Sequence, residues 1–344
     1  MRSSHYLTIK EADLTGNVYI IGDVHGTAQL FDEVLGKLSS NDILIVAGDL
    51  IDRGETPACK PTSALVLDRI MAQALKVDVP KIYAIRGNHE EDFLTMMAML
   101  KNLAALRAAD ERVRMPVDMK SFLVNFIGNG GGWIFREDTS GAPERQMKFR
   151  NYAVSGRSDP YVKIALDEID LMFRQGDPLD LLKPECSAYE AYIQSLPYII
   201  KIDSEDNPVL VAHADLPLSD VALDEKIASG TDLTPPEIMH ITGARVREFS
   251  TTRTADSVVV YCGHNIIDEE SDTGPHPALP VREATNHINL DGGSYFTHGQ
   301  LLVNHTQHGV EVVGEVEEHS QALLAFAQEA IQKRISPATA PTPL

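Results

Sequence analysis

Cysteine is scarce in this chain, positive charge is in short supply, and no apolar run is long. Its three cysteines, Cys59, Cys186 and Cys262, are scattered among 344 residues with no CxxC spacing. That odd set argues against a disulfide framework and a thiolate zinc site, and a reducing compartment is the simplest home for it. Lys and Arg number 30 against 50 Asp and Glu, a formal charge of −20. A chain this acidic repels a phosphate backbone, so nucleic acid is not an expected partner. No apolar run approaches the roughly 20 residues of a bilayer span, and no basic start leads into the short apolar run of a signal peptide. The expectation is a soluble, unprocessed, cytoplasmic chain with no membrane partner; a non-classical secretion route would leave no mark here, and the oligomeric state is left open.

What is present is an ordinary globular composition, 43% hydrophobic. The first ninety residues repeat one pattern: a short β-branched run, then Gly with Asp or Asn, then a helical segment. The runs "NVYIIGD", "DILIVAGD" and "KIYAIRGN" are almost continuously apolar, as strands buried on both faces are. "TAQLFDEVLGKL" and "PTSALVLDRIMAQALK" between them have helical spacing. Alternating strand and helix predicts an α/β sheet that delivers polar residues at strand C-terminal ends. Residues 91–196 read as a mostly helical insertion or cap, broken by "NFIGNGGGWIF", with helices near Tyr161–Arg174 and Ser187–Leu196. Met96, Met97 and Trp133 are expected on its inner face, shaping a cleft, or else in a small core of its own. Strand-like runs return at "PYIIKI", "PVLVAHAD", "SVVVYCGHN", "HINLDGG", "QLLVNH" and "VEVVGE" with less helix between them, which predicts a second sheet. The expected fold is therefore an α/β (α+β) sandwich of two sheets flanked by helices over residues 1–334. An amphipathic helix closes it, followed by a Pro-rich disordered tail at 335–344.

The polar residues that follow the strands are Asp23 and His25, then Asp49, Asp52 and Arg53, then Arg86, Asn88 and His89, then His213 and finally His264. Singly, each has an ordinary explanation: an Asp after a strand commonly caps the next helix, and a lone His is commonly a satisfied core residue. Together, at successive strand ends, they form an oxygen and nitrogen donor set without sulfur, suited to a first-row ion. The blocks "GDVHG", "GDLIDRG", "RGNHE", "VAHAD" and "CGHN", in this order, resemble the metal-dependent phosphoprotein phosphatases within the calcineurin-like metallophosphoesterases. "NGGGWIF" and "HADLP" are closer to the bacteriophage lambda and bacterial branch, and "DRGETPACK" lacks the Ser-x-Glu element of eukaryotic members. The resemblance spans about residues 17–293.

The resemblance implies two divalent ions, Mn²⁺ with Fe or Zn as alternatives. Asp23 and His25 would bind the first, Asp49 would bridge both, and Asn88, His213 and His264 would complete the second. His89 would be the general acid, oriented by Asp52. Arg53 would grip the phosphate, with Arg245 as a second grip and Arg247 as its fallback; Arg86 matches a position of less settled role. The implied reaction is hydrolysis of protein phosphoserine, phosphothreonine or phosphotyrosine by direct attack of a hydroxide between the ions, with no phosphoenzyme. Hydrolysis of dinucleoside tetraphosphates and a metal-bound interaction scaffold are the alternatives. The acidic, Pro-rich stretch "DEESDTGPHPALP" reads as a surface loop.

Overall fold

The computed structural model describes residues 5–53, 62–136, 173, 177–204, 208–216, 220–243, 258–267, 280–282, 287–294, 299–316 and 318–336. Among them, two sheets stack face to face. The first holds β2 (Val18–Ile21), β3 (Ile43–Val46), β4 (Lys81–Ala84), β10 (Gln300–Asn304) and β11 (Gly309–Val313), in the order β11-β10-β2-β3-β4. The second holds β1 (Tyr6–Lys10), β5 (Ile199–Asp203), β6 (Val209–Ala212), β7 (Val259–Cys262), β8 (Val281–Arg282) and β9 (His287–Asn289), in the order β1-β5-β6-β7-β9-β8. β2, β3 and β4 run parallel, as do β6, β7 and β9, so each sheet has one edge where several strands end together.

Strand alternation explains why the runs are apolar on both faces. Ile20 and Ile45 enter a core between the sheets with Ile200, Val209, Val211 and Tyr261. Their neighbours Ile21, Leu44 and Val46 face outward into a second core. Helices α1 (Ala28–Lys37), α2 (Ser63–Gln73), α3 (Asn88–Ala109), α4 (Val117–Gly128) and α5 (Cys186–Ser195) supply its other side. Leu44 is fully buried there, and truncating such a residue to Ala costs about 2–5 kcal/mol. α6 (Asp220–Ser229) and α7 (Pro235–Gly243) cover the outer face of the second sheet through Leu223 and Ile241, packed with Leu210, Ala212 and Val260. Leu324, Ala327 and Ile331 of α8 (Gln321–Ile335) close the core between the sheets.

The two-sheet sandwich is as expected, but its composition differs. The late runs do not all build the second sheet: β10 pairs antiparallel with β2 and brings β11 with it into the first. β2 has only β3 on its other side, and a bare edge of buried strand leaves its backbone polar groups unmet. β1 in turn leaves the N-terminal region to pair with β5. α6 and α7 add helix where little was expected. Met96 and Met97 are 0% and 2% exposed in the outer core of the first sheet, so they line no cleft. α3, α4 and α5 share that core with α1 and α2, so the insertion is fused to the sheet rather than built around a core of its own. Of the helix expected at 161–174 only Phe173 is described, buried in the outer core of the first sheet. The tail expected from 335 starts later, since Ile335 still belongs to α8, and the acidic loop at 268–279 and the residues from 337 onward lie outside the described residues. Among the described residues, no helix is long and apolar enough to cross a membrane.

Candidate metal centre

The strand ends converge where the two sheets meet. β2 runs into Asp23 and His25, β3 into Asp49, Asp52 and Arg53, and β4 into Asn88 and His89, which open α3. From the second sheet, β6 delivers His213 and β7 delivers His264. His264 N–H reaches across to donate to both oxygens of Asp23, at 3.0 and 3.1 Å. The backbone is bent unusually to achieve this. Of seven non-glycine residues with positive φ among those described, five are His25 (47°), Asp49 (46°), Asp52 (68°), Arg53 (58°) and His264 (67°). Left-handed backbone costs such residues of order 1–3 kcal/mol, and it persists where surrounding structure over-determines it. Gly87 belongs to this fit: a Cβ there would collide with Asp49 Oδ1, so the "RGN" glycine is required by close approach.

Asp49 has the geometry of a shared ligand. Its Oδ2 lies 3.7 Å from His25 Nε2 and 3.8 Å from His89 Nε2, while its Oδ1 lies 3.4 Å from His213 Nε2. Two donor groups result, His25–Asp49–His89 and Asp49–His213–His264, each with ligand atoms within 4.8 Å of one another. Asp23 Oδ2 lies 3.6 Å from His25 Nε2, and Asn88 Oδ1 lies 3.2 Å from His213 Nε2. Carbonyls fix the ring orientations: His213 Nδ1 donates to Ala47 O at 2.7 Å, and His25 Nδ1 to Ile51 O at 3.4 Å. Each bond leaves Nε2 as the nitrogen with a lone pair for a cation.

The electrostatics fit such an ion. Burial, and then the neighbouring Asp291, push the Asp23 carboxyl well above its usual range. Burial also raises Asp49, but the imidazoles of His213 and His89 outweigh it and hold Asp49 well below the ordinary value. His213 is driven down by burial and up, more strongly, by Asp49 and Asp23, reaching about 10. His25, where burial prevails, is held well below its usual value. An imidazolium clamped between carboxylates is the charge arrangement that a divalent cation replaces, with release of the proton. Asp291, just past β9, adds a further buried carboxyl, pushed by burial to about 6, whose Oδ2 has no hydrogen-bond partner among the described residues. Buried carboxylates of this kind call for a cation.

The structure thus brings Asp23, His25, Asp49, Asn88, His213 and His264 together, with His89 beside them. His89 Nδ1 donates to Asp52 Oδ2 at 2.8 Å. Burial lowers the His89 pKa, and Asp49 and Asp52 together more than restore it. Arg53 lies close enough to act on His25 and His89 electrostatically. Arg86 has a different task. Its guanidinium donates to Leu196 O, Gln194 O, Glu91 Oε1 and Tyr198 OH, tying the end of the insertion to the start of α3. Arg245 and Arg247 lie outside the described residues.

Three neighbours were not singled out for these contacts by sequence reasoning. Glu90 accepts N–H bonds from Asp49, Leu50 and Gly87 at 2.9, 2.9 and 2.8 Å, splinting the two loops; burial pushes it to about 7. Its signal was the last letter of "RGNHE". Asp291 reads as a turn residue in "LDGG", and Trp133, whose Nε1 donates to Asp52 Oδ1 at 2.8 Å, sits behind a run of glycines.

A sequence profile of the calcineurin-like phosphoesterases matches residues 16–313. Serine/threonine-protein phosphatase 2 of Escherichia coli (strain K12) is 27% identical over 222 residues, 64% of this chain and 67% of that protein. The symmetrical bis(5'-nucleosyl)-tetraphosphatase of Wigglesworthia glossinidia brevipalpis is 34% identical over 88 residues, 25% of this chain and 28% of its own length. Among solved structures, a protein serine/threonine phosphatase from Saccharomyces cerevisiae aligns with a TM-score of 0.43 at 13% identity, over 92% of this chain and 85% of that one. The profile match takes in every strand end from Asp23 to Asp291, and with it this chain belongs to the calcineurin-like phosphoesterase family.

Proposed function

We propose that the chain is a phosphoprotein phosphatase, a two-metal phosphomonoesterase acting on phosphoserine, phosphothreonine or phosphotyrosine. The observation that carries the phosphoesterase chemistry is Asp49, whose two oxygens face two separate donor groups beside a His–Asp pair. Asp23, His25 and Asp49 would hold one ion, and Asp49, Asn88, His213 and His264 the other. When bound, Mn²⁺, Fe or Zn supplies the positive charge that neutralises a phosphate dianion and makes water a nucleophile near neutral pH.

The chain's own residues do the remainder. Arg53 grips two phosphate oxygens in one plane, which a lysine point charge cannot copy. His89 has Nδ1 committed to Asp52 and Nε2 turned to the centre, 3.8 Å from Asp49 Oδ2. That nitrogen protonates the leaving serine, threonine or tyrosine oxygen, and Asp52 keeps the ring in the orientation and tautomer required. The phosphoprotein reading draws on the Escherichia coli phosphatase, whose likeness extends over most of this chain. Hydrolysis of dinucleoside tetraphosphates is the second reading, favoured by the higher identity, over a shorter span, to a tetraphosphatase.

The test is direct hydrolysis, with added Mn²⁺, of phosphoserine, phosphothreonine and phosphotyrosine peptides against diadenosine tetraphosphate. Peptide dephosphorylation well above tetraphosphate cleavage is expected. Tetraphosphate cleavage with the peptides untouched would replace the first reading by the second.

A further inference from the structure

The segment "NGGGWIF" has no part in the chemistry described so far, yet it lies against the corner that carries Asp52 and Arg53. Trp133 Nε1 donates to Asp52 Oδ1 at 2.8 Å, and His89 Nδ1 donates to Asp52 Oδ2 at 2.8 Å. Each oxygen of that carboxylate therefore accepts one N–H, and the plane of the carboxylate is set by two partners rather than one. Trp133, Asp52 and His89 are 2%, 1% and 2% exposed, so water does not compete for these bonds. The loop also holds the backbone. Arg53 N–H donates to Asn129 O at 3.1 Å, and Gly130, at φ 103°, packs so closely that a Cβ would collide with Arg53 N.

The indole is itself held from two sides. Phe93 stacks on it at 5.7 Å with planes 12° apart, and Tyr189 of α5 leans on it at 5.8 Å. Phe93 stands four residues after His89 on α3, on the same helix face. The contacts close a ring: His89 to Phe93 along the helix, Phe93 to the indole by stacking, the indole to Asp52, and Asp52 back to His89. Tyr189 OH donates to Asp68 Oδ1 at 2.9 Å, which anchors the far side to α2.

We infer that Trp133 is a positioning residue for leaving-group protonation, acting through Asp52 on His89, and that the 129–133 loop is the template for the Asp52–Arg53 corner. The inference rests on the proposed phosphomonoesterase reading for its kinetics, while its structural half stands apart from that reading. It gives the 91–196 insertion a task beyond any effect on substrate choice: the insertion supplies two of the ring's four members, Phe93 and Trp133, and the Tyr189 that backs the indole.

Trp133→Phe keeps the aromatic stack and removes the N–H. With added Mn²⁺, kcat on a phosphoserine peptide should fall about tenfold or more, a share of the 10²–10⁴ carried by a general acid. On p-nitrophenyl phosphate, whose leaving group needs little protonation, the fall should stay within about threefold. In an Asp52→Asn background the same substitution should add nothing, since the two act as one unit. Should Trp133→Phe fail to fold, Phe93→Leu, which loosens the indole and keeps its N–H, should show the same split between substrates at smaller amplitude. Equal losses on both substrates, or full additivity with Asp52→Asn, would overturn the inference. Trp133 is the sole tryptophan of the chain, so its indole N–H gives one NMR cross-peak that needs no activity to be read. That peak should move when Asp52 becomes Asn; a peak that stays put contradicts the contact itself. A wild-type protein inactive on both substrates but with a responsive indole peak would sink the phosphomonoesterase reading and leave the Trp133–Asp52–His89 connection standing.

Discussion

Two histidines at opposite ends of β2 show what separates a site from a mere cluster of imidazoles. His213, beyond the C-terminal end, is fully buried and is pushed up to about 10. His305, whose N–H donates to Val18 O at the other end, is partly buried and held down at about 4. Burial lowers both; the opposite outcomes come from what faces them. Asp49 and Asp23 stand 3.4 and 3.8 Å from His213. His305 Nδ1 shares a hydrogen bond with Tyr261 OH at 3.1 Å and has His308 beside it, at the wall of a cavity of about 580 Å³. One end concentrates buried carboxylates that require cations; at the other, Glu11 pulls the ring upward but burial and His308 outweigh it.

Removing the shared carboxylate should have the largest effect. Asp49→Ala deprives both donor groups of their common ligand, so metal analysis should find both ions lost and aryl phosphatase activity should fall by on the order of 10⁴-fold or more. Next in size is His89→Asn, with a loss of about 10²–10⁴ in kcat on a poor leaving group, a smaller loss on p-nitrophenyl phosphate, and both ions retained. Equal losses on the two substrates would give His89 a different task.

Glu90→Gln acts behind the ligands, on the carboxylate that holds the Asp49, Leu50 and Gly87 N–H groups. An amide cannot accept all three N–H bonds at once with both of its ends. About 1–3 kcal/mol of stability should be lost in urea titration, with metal affinity lower by about 10–100-fold. The smallest effect belongs to the far end. His305 titrates at about 4 in the folded chain against about 6.5 unfolded, so the unfolded chain binds more protons between those values. Stability contributed by the neutral ring is complete above pH 6.5 and is lost as pH falls towards 4. His305→Phe should flatten that acid limb by about 1–2 kcal/mol, allowing for partial exposure, and should leave phosphatase activity within about twofold. A large activity loss in that variant would erase the contrast between the two ends.

The site was legible because the fold announces it locally. Strands buried on both faces give unbroken apolar runs, and the residue after each run is the one delivered to the sheet edge, so Asp23, Asp49, Asn88, His213 and His264 stand out by position. What escaped depends on distance or on face. β1 pairs with a strand 193 positions later (199 − 6), and no local pattern encodes that register. "QLLVNH" looks the same whether it joins one sheet or the other; the unpaired edge of β2 decides. Met96 and Met97 sit on a helix whose apolar residues could face a cleft or a core, and only their burial in the outer core of the first sheet distinguishes the two. Glu90 reads as an ordinary first-turn acid of α3, which it also is. Its bonds to Asp49 and Leu50 are visible only once β3 and β4 lie side by side.

In the proposed chemistry one carboxylate, Asp49, joins two ions into a working centre. Titrating metal-stripped protein with Mn²⁺ by calorimetry, while following p-nitrophenyl phosphate hydrolysis in the same samples, tests it most directly. Two ions should bind per chain in the wild type, with full activity reached only as the second site fills. Full activity with a single ion bound, or undiminished activity in excess chelator with an empty protein, would contradict it.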